Sequence, residues 1–129
     1  TRAWSSDVCS SDLEPRGARA LNAALEAGAP VDVETESIAV DSLGAKRVGD
    51  LVHAIATDYV AESVLVPDSA IVEAQSRLWN TLRIAAEPGG ATALAAVLAG
   101  AYVPRPGERL GILVCGGNVD LTALAALAV

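Results

Sequence analysis

Leu110-Gly111-Ile112-Leu113-Val114 runs directly into Cys115-Gly116-Gly117-Asn118, and Asp120 then heads a last apolar stretch. An apolar run, a glycine pair and a helix cap in that order describe a strand that turns tightly into a helix. Such a junction is at home in an α/β layer structure, where ligands sit beyond the carboxyl ends of parallel strands. Glycine there lets a ligand approach the backbone, and the helix start is electropositive. On its own, the junction describes a tight βα loop as well as it describes a site.

A second apolar run, Ser63-Val64-Leu65-Val66, ends at Pro67 and predicts a buried strand. Helical spacing fills much of the remainder. Pro15 to Gly28 is expected to be a helix with Pro in its first turn and Gly as its stop. Residues 31–37 are acidic and extended, and Ser42-Leu43-Gly44 reads as a turn. Val48, Leu51, Val52, Ile55 and Tyr59 predict a helix over 48–60. Asp68 is expected to cap a helix whose buried face is Ile71, Ala74, Leu78 and Leu82, with Trp79 continuing that face into the core. Pro88-Gly89-Gly90 is expected to interrupt the helical pattern. A small-residue helix then runs over 91–99 and ends at Gly100.

The chain has 129 residues, enough for one domain. It is 52% hydrophobic and 3% aromatic, and 26 alanines account for the difference. Alanine-rich helices suit close backbone approach in a buried layer. The net charge of −7 disfavours a nucleic-acid surface, which needs clustered Lys and Arg. No apolar run is long enough to span a membrane as a helix, and the apolar content excludes a disordered chain. The absence of methionine places the translation start elsewhere.

Trp4-Ser5-Ser6-Asp7-Val8-Cys9-Ser10-Ser11-Asp12-Leu13 resembles a frame translation of a sequencing-library adapter. The string has neither a helical nor a strand period, so residues 1–13 are expected to be non-native and disordered, with the fold over 14–129. Cys9 then falls outside the fold and Cys115 stands alone. That removes an internal disulfide and points to a cytoplasmic protein.

Three motifs in order carry a wider resemblance: Ser42-Leu43-Gly44-Ala45-Lys46-Arg47-Val48-Gly49, Glu87-Pro88-Gly89-Gly90-Ala91 and Val114-Cys115-Gly116-Gly117-Asn118-Val119-Asp120. Together they are similar to the C-terminal third of the serine/threonine dehydratases, pyridoxal-phosphate (PLP) enzymes of fold type II. The resemblance implies part of a three-layer αβα domain of the tryptophan synthase beta-like kind. It also implies PLP as cofactor, a small amino-acid substrate and a homo-oligomer in the intact protein.

Residue by residue, the resemblance puts Cys115 opposite the pyridine nitrogen of PLP. A neutral thiol donates only weakly and would not hold that nitrogen protonated as a carboxylate does. The cofactor is then a milder electron sink, which suits β-elimination better than transamination. Gly116, Gly117 and Asn118 would wall the cofactor, Glu87 would lie near the ring edge, and Ser42, Leu43 and Gly44 would cover its face. The resemblance further implies a cation ligand at Glu14 with the backbone carbonyl of Ala18. The second carboxylate of such a site falls on Ala20, which leaves the oxygen set short for a hard cation.

The family's Schiff-base lysine and glycine-rich phosphate loop would lie upstream. Lys46, the sole lysine, matches a solvated basic position, and His53 reads as an ordinary surface or boundary histidine. The expected activity is therefore that of a parent ammonia-lyase, acting on serine or threonine to give a 2-oxo acid and ammonia, with the present chain alone inactive. Racemases and the hydroxyaspartate or hydroxyectoine-pathway dehydratases share this layout. A non-catalytic or degenerate α/β binding module is the alternative, and an in-frame Lys-bearing segment upstream would discriminate against it.

Overall fold

The computed structural model describes residues 10–126. Trp4 to Cys9, most of the adapter-like string, lie outside the described residues. The elements are strand β1 (Ser10–Pro15), helix α1 (Ala20–Ala27), helix α2 (Val40–Leu43), helix α3 (Asp50–Tyr59), strand β2 (Val60–Val66), helix α4 (Asp68–Arg77), a π-helical continuation (Leu78–Leu82), helix α5 (Pro88–Leu98) and helix α6 (Leu121–Ala126).

β1 and β2 pair in parallel, from Ser11 opposite Glu62 to Pro15 opposite Val66, with an irregularity after Ser10. The crossover between them carries α1, α2 and α3, as a parallel pair requires. α1 and α3 cover one face of the pair and α5 the other, with α4 packed on α5. This is the expected three-layer αβα order, on two strands among the described residues.

Alternation along the strands sorts their side chains to opposite faces. Leu13, Val64 and Val66 pack with Ile71, Ala74, Leu78, Ala86, Ala91, Ala95 and Ala96 in the main core. Alanine at the facing positions of α4 and α5 brings the two backbones close together. The face toward α1 is polar. Ser63 Oγ donates to Asp12 Oδ2 at 2.7 Å, and Asn22 Nδ2 donates to Ser63 Oγ at 3.2 Å. Glu14 accepts the α1 amides of Leu21 and Asn22 at 3.2 and 2.8 Å, supplying partners that the start of a helix lacks.

Several expectations are corrected. Ser10 to Leu13 are not disordered: they form most of β1, because β2 offers a ladder of backbone partners that a period search within one segment does not register. Pro15 ends that strand rather than starting a helix, and α1 begins only at Ala20; Gly28, at φ 70°, does stop it. Pro88-Gly89-Gly90 does not interrupt helix α5 but forms its first turn, where the missing proline N–H has no intrahelical partner to lose. Ser42 and Leu43 lie in a one-turn helix rather than a bare turn.

Leu110–Val114 is not in a ladder among the described residues. Val114 reaches the core while Leu113 is 79% exposed, and no described strand lies beside the segment. A strand requires a neighbour for its N–H and C=O groups, and composition alone cannot supply one. The apolar stripe of α3 is likewise open: Leu51 is 74% exposed, and only Ala56 of that helix is buried. Leu82 is exposed at the end of the π-helical segment. Trp79 is half-buried, with the Arg83 guanidinium 5.9 Å from its ring centroid, so it edges the core rather than filling it.

Burial raises the pKa of Asp12 above 3.8, against the lowering effect of its Ser63 hydrogen bond. It likewise raises that of Glu14 above 4.5, and the neighbouring Asp12 charge adds to the rise. A carboxyl that keeps its proton longer when folded destabilises the fold once it ionises. The two groups therefore take stability away as pH rises from the ordinary carboxylate range through their raised folded values. Asp12→Asn is expected to raise the urea midpoint at pH 7 and to change it little below pH ~4. An equal gain at both pH values would contradict the burial cause.

Candidate functional site

The start of α5 gathers the three motifs. Ala86 is buried, and its carbonyl accepts the Gln75 side-chain amide of α4 at 2.8 Å, which fixes the chain just ahead of Glu87. Glu87 is extended and precedes Pro88 at the helix start. Its backbone N–H donates to the Gly116 carbonyl at 2.7 Å. That bond seats the Cys115-Gly116 turn against the helix N-terminus.

Three glycines make the fit possible. A Cβ on Gly90 would overlap the Cys115 carbonyl oxygen, and a Cβ on Gly116 would overlap the Glu87 carboxylate. Gly116 also has φ 71°, a conformation that disfavours side chains. On the other flank, a Cβ on Gly89 would overlap Ser42 Oγ and come within 3.3 Å of Leu43 Cγ. Ser42 Oγ is itself bonded to the Ala39 carbonyl at 3.3 Å. Gly44 closes α2 by donating its N–H to the Val40 carbonyl at 2.9 Å.

The structure thus brings together Ser42, Leu43, Glu87, Cys115 and Gly116, with Gly44 following directly. Gly117 and Asn118 are exposed beyond the turn, and Asn118 has no described contact with the rest of the set. Asp120 caps α6 as expected, accepting the Thr122 amide at 2.8 Å. Sequence reading missed the part that Gly89 and Gly90 play as contact points; their signal was the glycine pair directly after a proline at a helix start.

The two oxygens of Glu14 are engaged by the amides of α1, and no group of three or more His, Cys, Asp or Glu among the described residues could hold a metal. Those bonds engage the carboxylate that the resemblance assigned to a cation site with the Ala18 carbonyl. His53 is half-buried on α3. Lys46 is exposed.

The arrangement suits one side of a planar heteroaromatic group. Cys115 is a free, exposed thiol that follows the Leu110–Val114 run. An added Cβ on Gly117 would meet nothing within 4 Å, so the backbone there is open to close approach. A thiol can donate weakly to a neutral ring nitrogen without adding charge to it.

A family profile described as "Pyridoxal-phosphate dependent enzyme" matches residues 11–116, and the chain belongs to that family. Its members' cofactor is PLP, and the residues above fit one wall of a site for it. Among curated relatives, phenylserine dehydratase of Ralstonia pickettii is 34% identical over 88% of this chain and 35% of its own length. Serine racemase of Oryza sativa subsp. indica is 35% identical over 86% of this chain and 34% of its own. Among solved structures, a T.th. threonine deaminase superposes with a TM-score of 0.83 at 31% identity, covering 92% of this chain and 40% of that one. The chain spans about a third of the length of the curated relatives it matches.

Proposed function

We propose that the chain is the C-terminal part of the catalytic domain of a PLP-dependent ammonia-lyase that converts serine or threonine to a 2-oxo acid and ammonia. The observation that carries this reading is the convergence of Ser42, Leu43, Glu87, Cys115 and Gly116 at the start of α5. Three segments far apart in sequence meet there around glycines that leave no room for a Cβ.

In this reading Cys115 faces the ring nitrogen, Gly116, Gly117 and Asn118 line the cofactor's side, and Glu87 borders the ring. Ser42, Leu43 and Gly44 cover its face. PLP when bound supplies an electron sink for the bonds at the substrate's α-carbon. The chain's own residues orient the ring and keep its nitrogen from gaining a full proton. Cys115 does the second, because a thiol has no charge with which to stabilise a pyridinium. The Schiff-base lysine and the phosphate loop belong to sequence outside these residues.

The reading further takes the parent protein to be a cytoplasmic homo-oligomer whose native sequence runs from residue 14. Among the described residues no helix is long and apolar enough to cross a membrane.

Serine racemization is the second reading, favoured by the rice relative's 35% identity. One experiment separates the two. The open frame is followed upstream of codon 14 in the source DNA, and the full enzyme is incubated with L-serine and L-threonine. Ammonia and 2-oxo acid in equal amounts are expected. D-serine with little ammonia would transfer the assignment to the racemase, and the absence of any in-frame lysine-bearing segment would leave a binding module.

A further inference from the structure

Helix α2 has four residues and a largely exposed surface, yet it carries Ser42 and Leu43 to the start of α5. A single helical turn does not hold itself together in water. Its support comes from a residue far along the chain. Asp68 is the first residue of α4, and its carboxylate turns away from its own helix. Oδ1 accepts the Ser37 hydroxyl at 2.8 Å and Oδ2 accepts the Ile38 amide at 2.9 Å. Ser37 Oγ in turn accepts the Ala39 amide at 3.2 Å. The buried Ala39 offers its carbonyl to the Leu43 amide at 2.7 Å and to the Ser42 amide and hydroxyl.

The chain of bonds therefore runs from α4 through Ser37, Ile38 and Ala39 to Ser42 and Leu43. α4 is itself packed on α5 through Ile71 and Ala74. We propose that Asp68 is the positioning residue of the candidate site: it anchors the Ser37-Ile38 segment that leads into α2 and so sets Ser42-Leu43-Gly44 at a fixed distance from the Glu87-Pro88-Gly89-Gly90 turn. The expectation that Asp68 caps α4 is corrected by the same bonds. Pro67 holds the cap position of α4, and both Asp68 oxygens are spent on the 37–38 segment. The functional meaning of the proposal rests on the reading that this segment covers PLP.

Amide hydrogen exchange on the full-length protein, prepared without PLP, tests it. Asp68→Ala is expected to speed exchange at Ile38, Leu43 and Gly44 by about ten-fold, the size of a lost charge-assisted hydrogen bond. Ala95 and Ala99, bonded within and after α5, should stay within about two-fold. Asp68→Asn should restore most of the protection, since its carbonyl can accept the Ile38 amide and its NH2 can donate to Ser37 Oγ. That rescue separates a hydrogen-bonding anchor from a charge at the start of α4, which asparagine would not replace.

Unchanged exchange in Asp68→Ala, an equal rise throughout α5, or no rescue by asparagine would each overturn the proposal. Should Asp68→Ala fail to fold, Ser37→Ala removes one of the two bonds and is expected to loosen the same three amides to a smaller degree. Loosening of α2 in a protein whose full-length form takes up no PLP would sink the cofactor reading and leave the role of Asp68 intact.

Discussion

Replacing Gly90 with alanine is expected to be among the most damaging single changes in the chain. The added Cβ has no place to go, because the atoms it meets are the backbone carbonyl, and then the amide nitrogen, of Cys115. Backbone cannot swing aside as a flexible side chain can. Either the Cys115-Gly116 turn lifts from α5 or the first turn of α5 unwinds, and both lose the 2.7 Å bond from Glu87 N–H to Gly116. Overpacking without relief costs roughly 3 kcal/mol. Gly111→Ala is the control: a Cβ there meets nothing within 4 Å, and the change should stay within about 0.5 kcal/mol. Urea unfolding midpoints measure both, and indistinguishable midpoints would mean that the α5 start does not carry the Cys115 turn.

Ile71→Ala should cost about as much for the opposite reason. Ile71 is fully buried and is the largest side chain on the face of α4 that meets α5. Truncation of such a residue costs about 2–5 kcal/mol, and the upper part of the range applies where the site cannot collapse. Here the surrounding positions are already Ala74, Ala91, Ala95 and Ala96, so the two backbones have no slack with which to close the void. Ile71→Val should lose about 1 kcal/mol, and Leu51→Ala, on the open face of α3, close to nothing. If Leu51→Ala proved as costly as Ile71→Ala, the stripe of α3 would be covered in solution. Against a total stability of about 5–15 kcal/mol, Ile71→Ala alone reaches the range where the fold is partly lost.

The two variants act on one site from different distances. Gly90 is at the contact itself, while Ile71 holds the helix that carries it. Asp68 joins the same helix pair to α2, so the three motifs share one mechanical frame: α4 packed on α5, and α5 on the sheet.

How much of that frame was legible can be judged element by element. The helix over 48–60, the strand at 63–66, the stop at Gly28 and the cap at Asp120 depend on local period and turn chemistry, and each appears. Leu110–Val114 carries as strong an apolar signal as Val64-Leu65-Val66, yet only the second is in a ladder. The difference is a neighbour, which no property of the segment encodes. Ser10 to Leu13 make the converse case, since a polar string became a strand because β2 was there to pair with it.

The candidate site divides the same way. The sequence by itself determined which residues could matter, because glycine pairs, a proline at a helix start and a thiol at a strand end are chemical facts of single positions. Only the tertiary structure decided that Gly90 touches Cys115, that Gly116 lies on Glu87, and that Asp68 serves α2 rather than its own helix. Those contacts join positions 25 to 31 residues apart, and their geometry follows from how closely the alanine faces of α4 and α5 let the layers approach. A local pattern fixes what a residue can do; packing fixes what it has to do it to.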